Sequence, residues 1–277
     1  MEYIFDITNF ETALSFLCNY LAINEEQVIN FITSNSKDYD IEEFIDEFSI
    51  NIDSLDIDNV KAVVIHTTTN NDECNTIKKY GLLNLQQAVT VNTPLKLYLK
   101  RWKIVFDIEN KTMWLNDKLF DITYNNRNNP YHADYDEALQ DIARKLYFDF
   151  QINGFFCTED VREYGGRVHE RPEFLNNLSE KFKHKPIEDK WKENSKCYLI
   201  KFSSMLDYFT HFTFYKDKDE YLEDFNTKVI LKRWLINKAL YVIWNNLHFG
   251  GNPEIIAYMK PEVIIPYSDI LEIIDVL

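Results

Sequence analysis

Glycine and proline are scarce in this chain. Six Gly and seven Pro in 277 residues are near half the usual share, which excludes collagen-like chains and disorder driven by Pro and Gly. Cysteine is sparse too. Cys18, Cys74, Cys157 and Cys197 stand far apart, at no metal-ligand spacing. That excludes a disulfide scaffold and reads as four reduced thiols in an intracellular protein. No stretch approaches the ~18 apolar residues of a membrane span; the longest apolar runs, such as 62–65, are strand-sized. The N-terminus, MEYIFDITNFE, carries acids where a secretory leader has bases and then a long apolar run. The expectation is a soluble, cytoplasmic protein. The common nucleotide motifs, GxGxxG and GxxxxGK, are missing, as are GxSxG and HExxH. Six histidines (66, 132, 169, 184, 211 and 248) show no paired spacing, so no metal site is expected.

What is present suits a globular chain of one large or two small domains. Apolar residues make up 45%, and 17 Tyr with 20 Phe can fill large cores. The net charge of -15 is unevenly spread. Residues 1–60 hold 14 acids and one base, Lys37; residues 61–277 hold 31 acids against 29 bases. A sequence-independent phosphate binder shows net positive charge or a basic stripe, and the chain as a whole does not. Its larger part is near neutral and leaves room for a local basic face.

Residues 8–33 read as helical: Phe10, Ala13, Leu14, Leu17 and Leu21 recur at three- and four-residue steps, with Thr8 or Asn9 as cap of the first helix, and a second run, Glu25 to Ile32, continues the pattern after Ala22-Ile23-Asn24. Residues 38–58 are acidic with interspersed Ile, Phe and Leu. We expect an acidic helical subdomain over 1–59. It is either a solvated face or a surface for a basic protein partner or a basic site. The character changes at Val60. Strands are expected at 61–66, 101–108, 152–157, 197–203, 254–259 and 262–265, with 112–115 pairing 101–108. Helices are expected at 72–80 (stopped by Gly81), 134–150 and most of 217–247, with Trp234 and Trp244 packing inward; 125–130 reads as a loop. Strands and helices do not alternate regularly, so the fold class expected over 60–277 is α+β.

Three segments can carry chemistry. His66-Thr67-Thr68 closes an apolar strand, which for a histidine is commonly a structural or surface position. Gly154-Phe155-Phe156-Cys157-Thr158-Glu159, with Tyr164 beyond, runs out of a strand; Phe156 alone reads as core. Gly250-Gly251-Asn252-Pro253-Glu254-Ile255-Ile256 uses two of the six glycines to lead a carboxylate to the mouth of a strand. That implies a close backbone approach or an unusual turn; Glu254 by itself reads as an edge-strand acid facing water. In this order the segments resemble the signatures of the ADP-ribosyltransferase superfamily: His or Arg on a first strand, an aromatic or Ser/Thr on a middle strand, Glu opening a late one. The match covers short pieces of 61–277. It departs from the His-containing branch at Phe156, where that branch carries Tyr, and residues 1–60 have no counterpart. Thr158 resembles the Ser/Thr of the other branch, which has Arg where His66 stands.

The resemblance implies split antiparallel sheets clasping NAD, and transfer of ADP-ribose to a macromolecular acceptor, protein or nucleic acid, as toxins and defence effectors do. Hydrolysis of NAD follows if water is the acceptor. Glu254 would then be catalytic. His66 and Thr67 would hold ribose hydroxyls, and Phe156 and Tyr164 would stack on nicotinamide, with no metal. The rival expectation is a non-catalytic interaction protein whose acidic N-terminal segment binds a basic partner. Arg167-Val168-His169-Glu170-Arg171 reads as a solvated, salt-bridged loop, with contact to phosphate or an acceptor as the other option. The lysines between 181 and 196 read as helix surface.

Overall fold

The computed structural model describes residues 2–35, 38–124, 137–162, 164, 166–183, 186–215 and 227–276. The loop expected at 125–130 lies outside them, as do 134–136 of the expected helix and 217–226 of the last one. In chain order the elements are β1 (Tyr3–Phe5), α1 (Phe10–Leu21), α2 (Glu25–Ser34), α3 (Ile41–Glu47), β2 (Val60–Asn70), α4 (Asn75–Tyr80), α5 (Leu85–Thr90) and α6 (Pro94–Arg101). There follow β3 (Ile104–Asp107), β4 (Thr112–Leu115), β5 (Lys118–Asp121), α7 (Glu137–Tyr147), β6 (Asn153–Cys157), α8 (Glu173–Phe182) and α9 (Pro186–Asn194). The chain closes with β7 (Lys196–Met205), α10 (Thr227–Phe249), β8 (Ile255–Tyr258) and β9 (Ile270–Val276). The class is α+β. Hydrogen bonding orders the main sheet β8-β6-β2-β7-β9, with β1 parallel to β2; β3, β4 and β5 form a separate antiparallel sheet.

The contacts divide the chain into two units: 1–66 with 153–160 and 201–260, and 67–152 with 161–200 and 261–277. The expected boundary near residue 60 is therefore not where the chain divides, and 1–59 does not stand apart. Its apolar stripe is core of the first unit: Phe5, Phe16, Leu17, Val28 and Phe44 are buried, and Phe5 packs on Phe16, Phe156 and Trp234. Asn9 caps α1 in a reciprocal box with Thr12, and Asn24 does the same for α2 with Gln27. The helical stretch expected over 8–33, with its second run from Glu25, is α1 and α2; Ala22, in left-handed conformation, ends the first.

The acidity of 1–59 meets basic residues within this unit. Lys228 pairs Asp58 at 2.6 Å and Arg233 pairs Glu42. Lys232, buried on α10, donates to the carbonyls of Ile52 and Asp53, each at 3.0 Å. Lys201 pairs Asp6 at 2.8 Å, and Lys61 pairs Glu2 at 3.1 Å. Trp234 packs against Phe5, Phe156 and Phe214, as an inward ring should; Trp244 packs with Tyr39, Tyr241 and Phe249.

The second unit is built on the inner face of β3-β4-β5. Ile104, Phe106 and Met113 bury there with Ile142 and Leu146 of α7, Phe174 and Leu178 of α8, and Trp191 of α9. The pairing of β3 with β4 follows the sequence expectation, but α6 replaces its first residues: Pro94 opens that helix, Thr93 caps it, and Trp102-Lys103 turn the chain before Ile104. Gly81 ends α4 as expected. The strand expected at 262–265 is a single bridge, Leu82 to Ile265; the closing strand is β9, further on.

Arg171 and Glu188 correct the surface reading of 167–171. They are 6% and 8% exposed and joined at 3.0 Å, with Lys192 on Glu188 at 2.7 Å and on Glu170 at 2.9 Å. Burial pushes the Glu188 carboxyl up, but the bonds from Lys192 and Arg171 outweigh it and hold it below its ordinary 4.5. A depressed carboxyl stabilises the fold above its unfolded value and loses that contribution as pH falls through the folded one. The melting temperature of Glu188→Gln should therefore fall furthest below wild type near neutral pH, and the gap should close as pH drops below 4.5. Thermal melts across that window check this; a constant gap would show that the pair's charge contributes nothing.

Candidate functional site

Strands β2, β6 and β8 are hydrogen-bonded neighbours inside the first unit, where β2 contributes residues up to His66. Ile65 faces Phe155 in the antiparallel pair of β2 and β6. Across the antiparallel pair of β6 and β8, Asn153 faces Tyr258, Gly154 faces Ala257, Phe155 faces Ile256 and Cys157 faces Ile255. The register slips by one between Phe155 and Cys157, so Phe156 is the extra residue of a bulge. Gly154 has no room for a side chain: a Cβ there would meet the Ile65 carbonyl oxygen at 2.5 Å.

His66 does not end its strand, since β2 runs on to Asn70. Its Nδ1 lies 2.6 Å from the Asn153 carbonyl oxygen. A carbonyl only accepts, so Nδ1 carries the proton and Nε2 is left as an acceptor. Burial lowers the ring's pKa below 6.5, and the Asn153 carbonyl opposes it only in part. The ring is accordingly neutral near pH 7.

Glu254 is exposed and directly precedes β8. Among the described residues it forms no ion pair. The turn that presents it is clamped from two sides. Asn245 on α10 donates its amide to the Gly251 carbonyl at 2.7 Å, and Glu159, at the exit of β6, accepts the Asn252 backbone N–H at 2.6 Å. Gly250 adopts φ +73, which favours glycine, and a Cβ on Gly251 would stand 3.4 Å from the Glu159 carboxylate. Pro253 is buried and locks the last residue before Glu254. Glu159 and Asn245 are positioning residues that sequence reasoning missed. Nothing in the sequence links Glu159 to residue 252.

The other expected site residues fare differently. Phe156 is 0% exposed, with its ring 5.8 Å from Phe5, 5.3 Å from Phe209 and 5.5 Å from Trp234. Neither face is open to a ligand, so its expected stacking role is corrected to a core role. Thr67 and Tyr164 belong to the second unit. Thr67 is buried, and its hydroxyl has no hydrogen-bond partner among the described residues; Tyr164 is 40% exposed.

All four cysteines are free thiols. Burial raises each thiol's pKa, Cys74 to about 11 and Cys157 to about 12, which disfavours the nucleophilic thiolate. Among the described residues no three His, Cys, Asp or Glu side chains group to hold a metal ion, and no helix is long and apolar enough to cross a membrane.

His66 and Glu254 sit two strands apart. The row of His66 runs through Gly154 to Ala257, three residues after Glu254. That is about 10 Å across the sheet and about 10 Å along it. One ribose cannot touch both, but the two ends of an extended dinucleotide can. Compared with protein-family models, curated proteins and solved structures, the chain matches none.

Proposed function

We propose that the chain is an ADP-ribosyltransferase of split-sheet type that breaks the bond between nicotinamide and ribose in NAD and passes ADP-ribose to a macromolecular acceptor, or to water. One observation carries the reading. The three segments that resemble the superfamily's signatures are neighbouring strands in the order β2-β6-β8, with His66 on the first and Glu254 at the mouth of the third. Both residues lie in one unit, and the proposal rests on them alone; Thr67 and Tyr164, in the other unit, are no part of it.

As the glycosidic bond breaks, positive charge develops on the ribose. The Glu254 carboxylate would stabilise it, held in place by the clamped turn before it. Nicotinamide leaves neutral, so no acid is needed. The Nε2 lone pair of His66 would accept a hydrogen bond from a hydroxyl of the adenosine-side ribose. Purified protein should release nicotinamide from NAD, alone or with a cell extract as acceptor source. No release under either condition would remove the reading in favour of a non-catalytic interaction protein. His66→Ala should weaken NAD binding about 5- to 30-fold, the value of one or two hydrogen bonds. Calorimetric titration checks it, and equal affinity of the two proteins would sink the role given to His66.

A further inference from the structure

One segment of the second unit carries a charge opposite to that of the whole chain. From Cys74 to Phe106 there is no acid, and there are six bases: Lys78, Lys79, Lys96, Lys100, Arg101 and Lys103. Elsewhere the chain's bases commonly meet carboxylates, as on α9 and α10. Among the described residues none of these six forms an ion pair. Lys79 lies 4.7 Å over the Tyr80 ring, and Lys96 donates to the Thr90 carbonyl. Bases held close without carboxylate partners repel one another, which an anionic ligand would relieve.

Three of the six, Lys79, Arg101 and Lys103, border two recesses. One, of about 350 Å³, is lined by Lys79, Tyr80, Asn92 and Arg101 along with other polar groups. The other, of about 430 Å³, is lined by Arg101, Trp102, Lys103, Asn116 and Phe182. Arg101 borders both. Each recess thus combines cations, a half-buried aromatic ring and an amide. Among the described residues Asp72 is the one carboxylate in the lining of either, and it accepts from the backbone and hydroxyl of Thr76. Asp189 and Glu193 of α9 act on the neighbouring Tyr98; Glu193 is paired with Lys190.

We infer that this face binds single-stranded nucleic acid, with phosphates along Lys79, Arg101 and Lys103 and bases against Tyr80 and Trp102. Cations interleaved with aromatic rings bind a single strand by backbone attraction and base stacking. Two recesses joined at one arginine suit successive nucleotides better than one small anion. A duplex keeps its bases stacked on one another and offers nothing to recessed rings. The net charge of -15 repels polyanions, so any binding reports a local surface.

The test is fluorescence anisotropy of labelled oligothymidine, about 20 nucleotides long, with the full chain over a salt series. Binding should weaken with salt, and the log–log slope should reflect about 0.7 per phosphate contacted. Arg101→Ala should weaken binding about 10-fold and reduce the slope by about 0.7. Trp102→Leu should weaken binding with the slope unchanged. Lys228→Ala, which removes a base already paired with Asp58, should behave as wild type. No binding at low salt would overturn the inference, as would an Arg101→Ala protein that binds as tightly as wild type. Equal or tighter binding of a duplex overturns the single-strand assignment. Binding of ATP to wild type but not to Arg101→Ala, with no oligonucleotide bound, also overturns it and makes the recess a mononucleotide site.

Discussion

Glu254→Gln should lower the rate of nicotinamide release by on the order of 100-fold, a loss of about 2.7 kcal/mol of transition-state stabilisation. The substitution keeps size and hydrogen bonding and removes only charge. Its effect belongs to the moment when the ribose becomes positive, so NAD affinity should change little. Glu254 is exposed and forms no ion pair among the described residues, so the melting temperature should stay near wild type. Glu262 is the control: another exposed acid close to a strand pairing, eight residues on. Glu262→Gln should remain active. Loss of turnover in Glu262→Gln with full activity in Glu254→Gln would move the catalytic role to Glu262. Full activity in both would leave the transferase reading without its catalytic residue. Single-turnover rates beside calorimetric NAD affinities separate these outcomes.

The largest expected effect on stability comes from Gly81→Ala. Gly81 ends α4 with φ 80 and ψ -173, a region open to glycine almost alone. A Cβ there would stand 2.2 Å from the Ile265 carbonyl oxygen, a backbone atom that also accepts the Leu82 N–H at 2.8 Å. The clash cannot be relieved by turning a side chain; the segment carrying Ile265 must move and its bridge to Leu82 must break. Strain and overpacking together should cost about 3–5 kcal/mol. For a chain of this size that lowers the melting temperature by about 10 °C. A Gly81→Ala protein that melts within a degree or two of wild type would mean that the turn has another conformation available. Gly250→Ala makes a useful contrast. Its φ is +73 but no atom lies within 4 Å of its Cβ position, so only the backbone strain applies and the loss should be smaller.

Much of the element pattern was legible along the chain. The apolar run at 61–66, the period of Ile142, Ala143 and Leu146, and the stop at Gly81 are local signals, and each gave the element expected. Misreadings came where neighbours in space decide. No helix was expected at α5 or α6, because each is short and buries only a few side chains, which leaves no clean period. Strand β9 escaped notice because its outer positions, Leu271 and Ile274, are apolar and exposed, which blurs the alternation. The acidic stretch looked separable from composition alone, yet its apolar residues fill the core beside α10 and its acids meet the bases of that helix.

The candidate site divides along the same line. By itself the sequence determined which residue types could do chemistry and in what order they come: a histidine on a strand, a glycine-rich turn, a carboxylate before a strand. It also determined the charge imbalance and the lack of metal-ligand and nucleotide motifs. These are properties of composition and spacing, which survive unfolding. Only the tertiary structure decided that β2, β6 and β8 lie side by side. It decided that the bulge at Phe156 turns that ring into the core, that Asn153 sets the tautomer of His66, and that Glu159 and Asn245 clamp the turn before Glu254. Apart from the bond of Asn245 to Gly251, six residues on, each of these joins residues far apart in the chain. Strand register, burial and hydrogen-bond partnership come from packing, and packing leaves no mark on spacing.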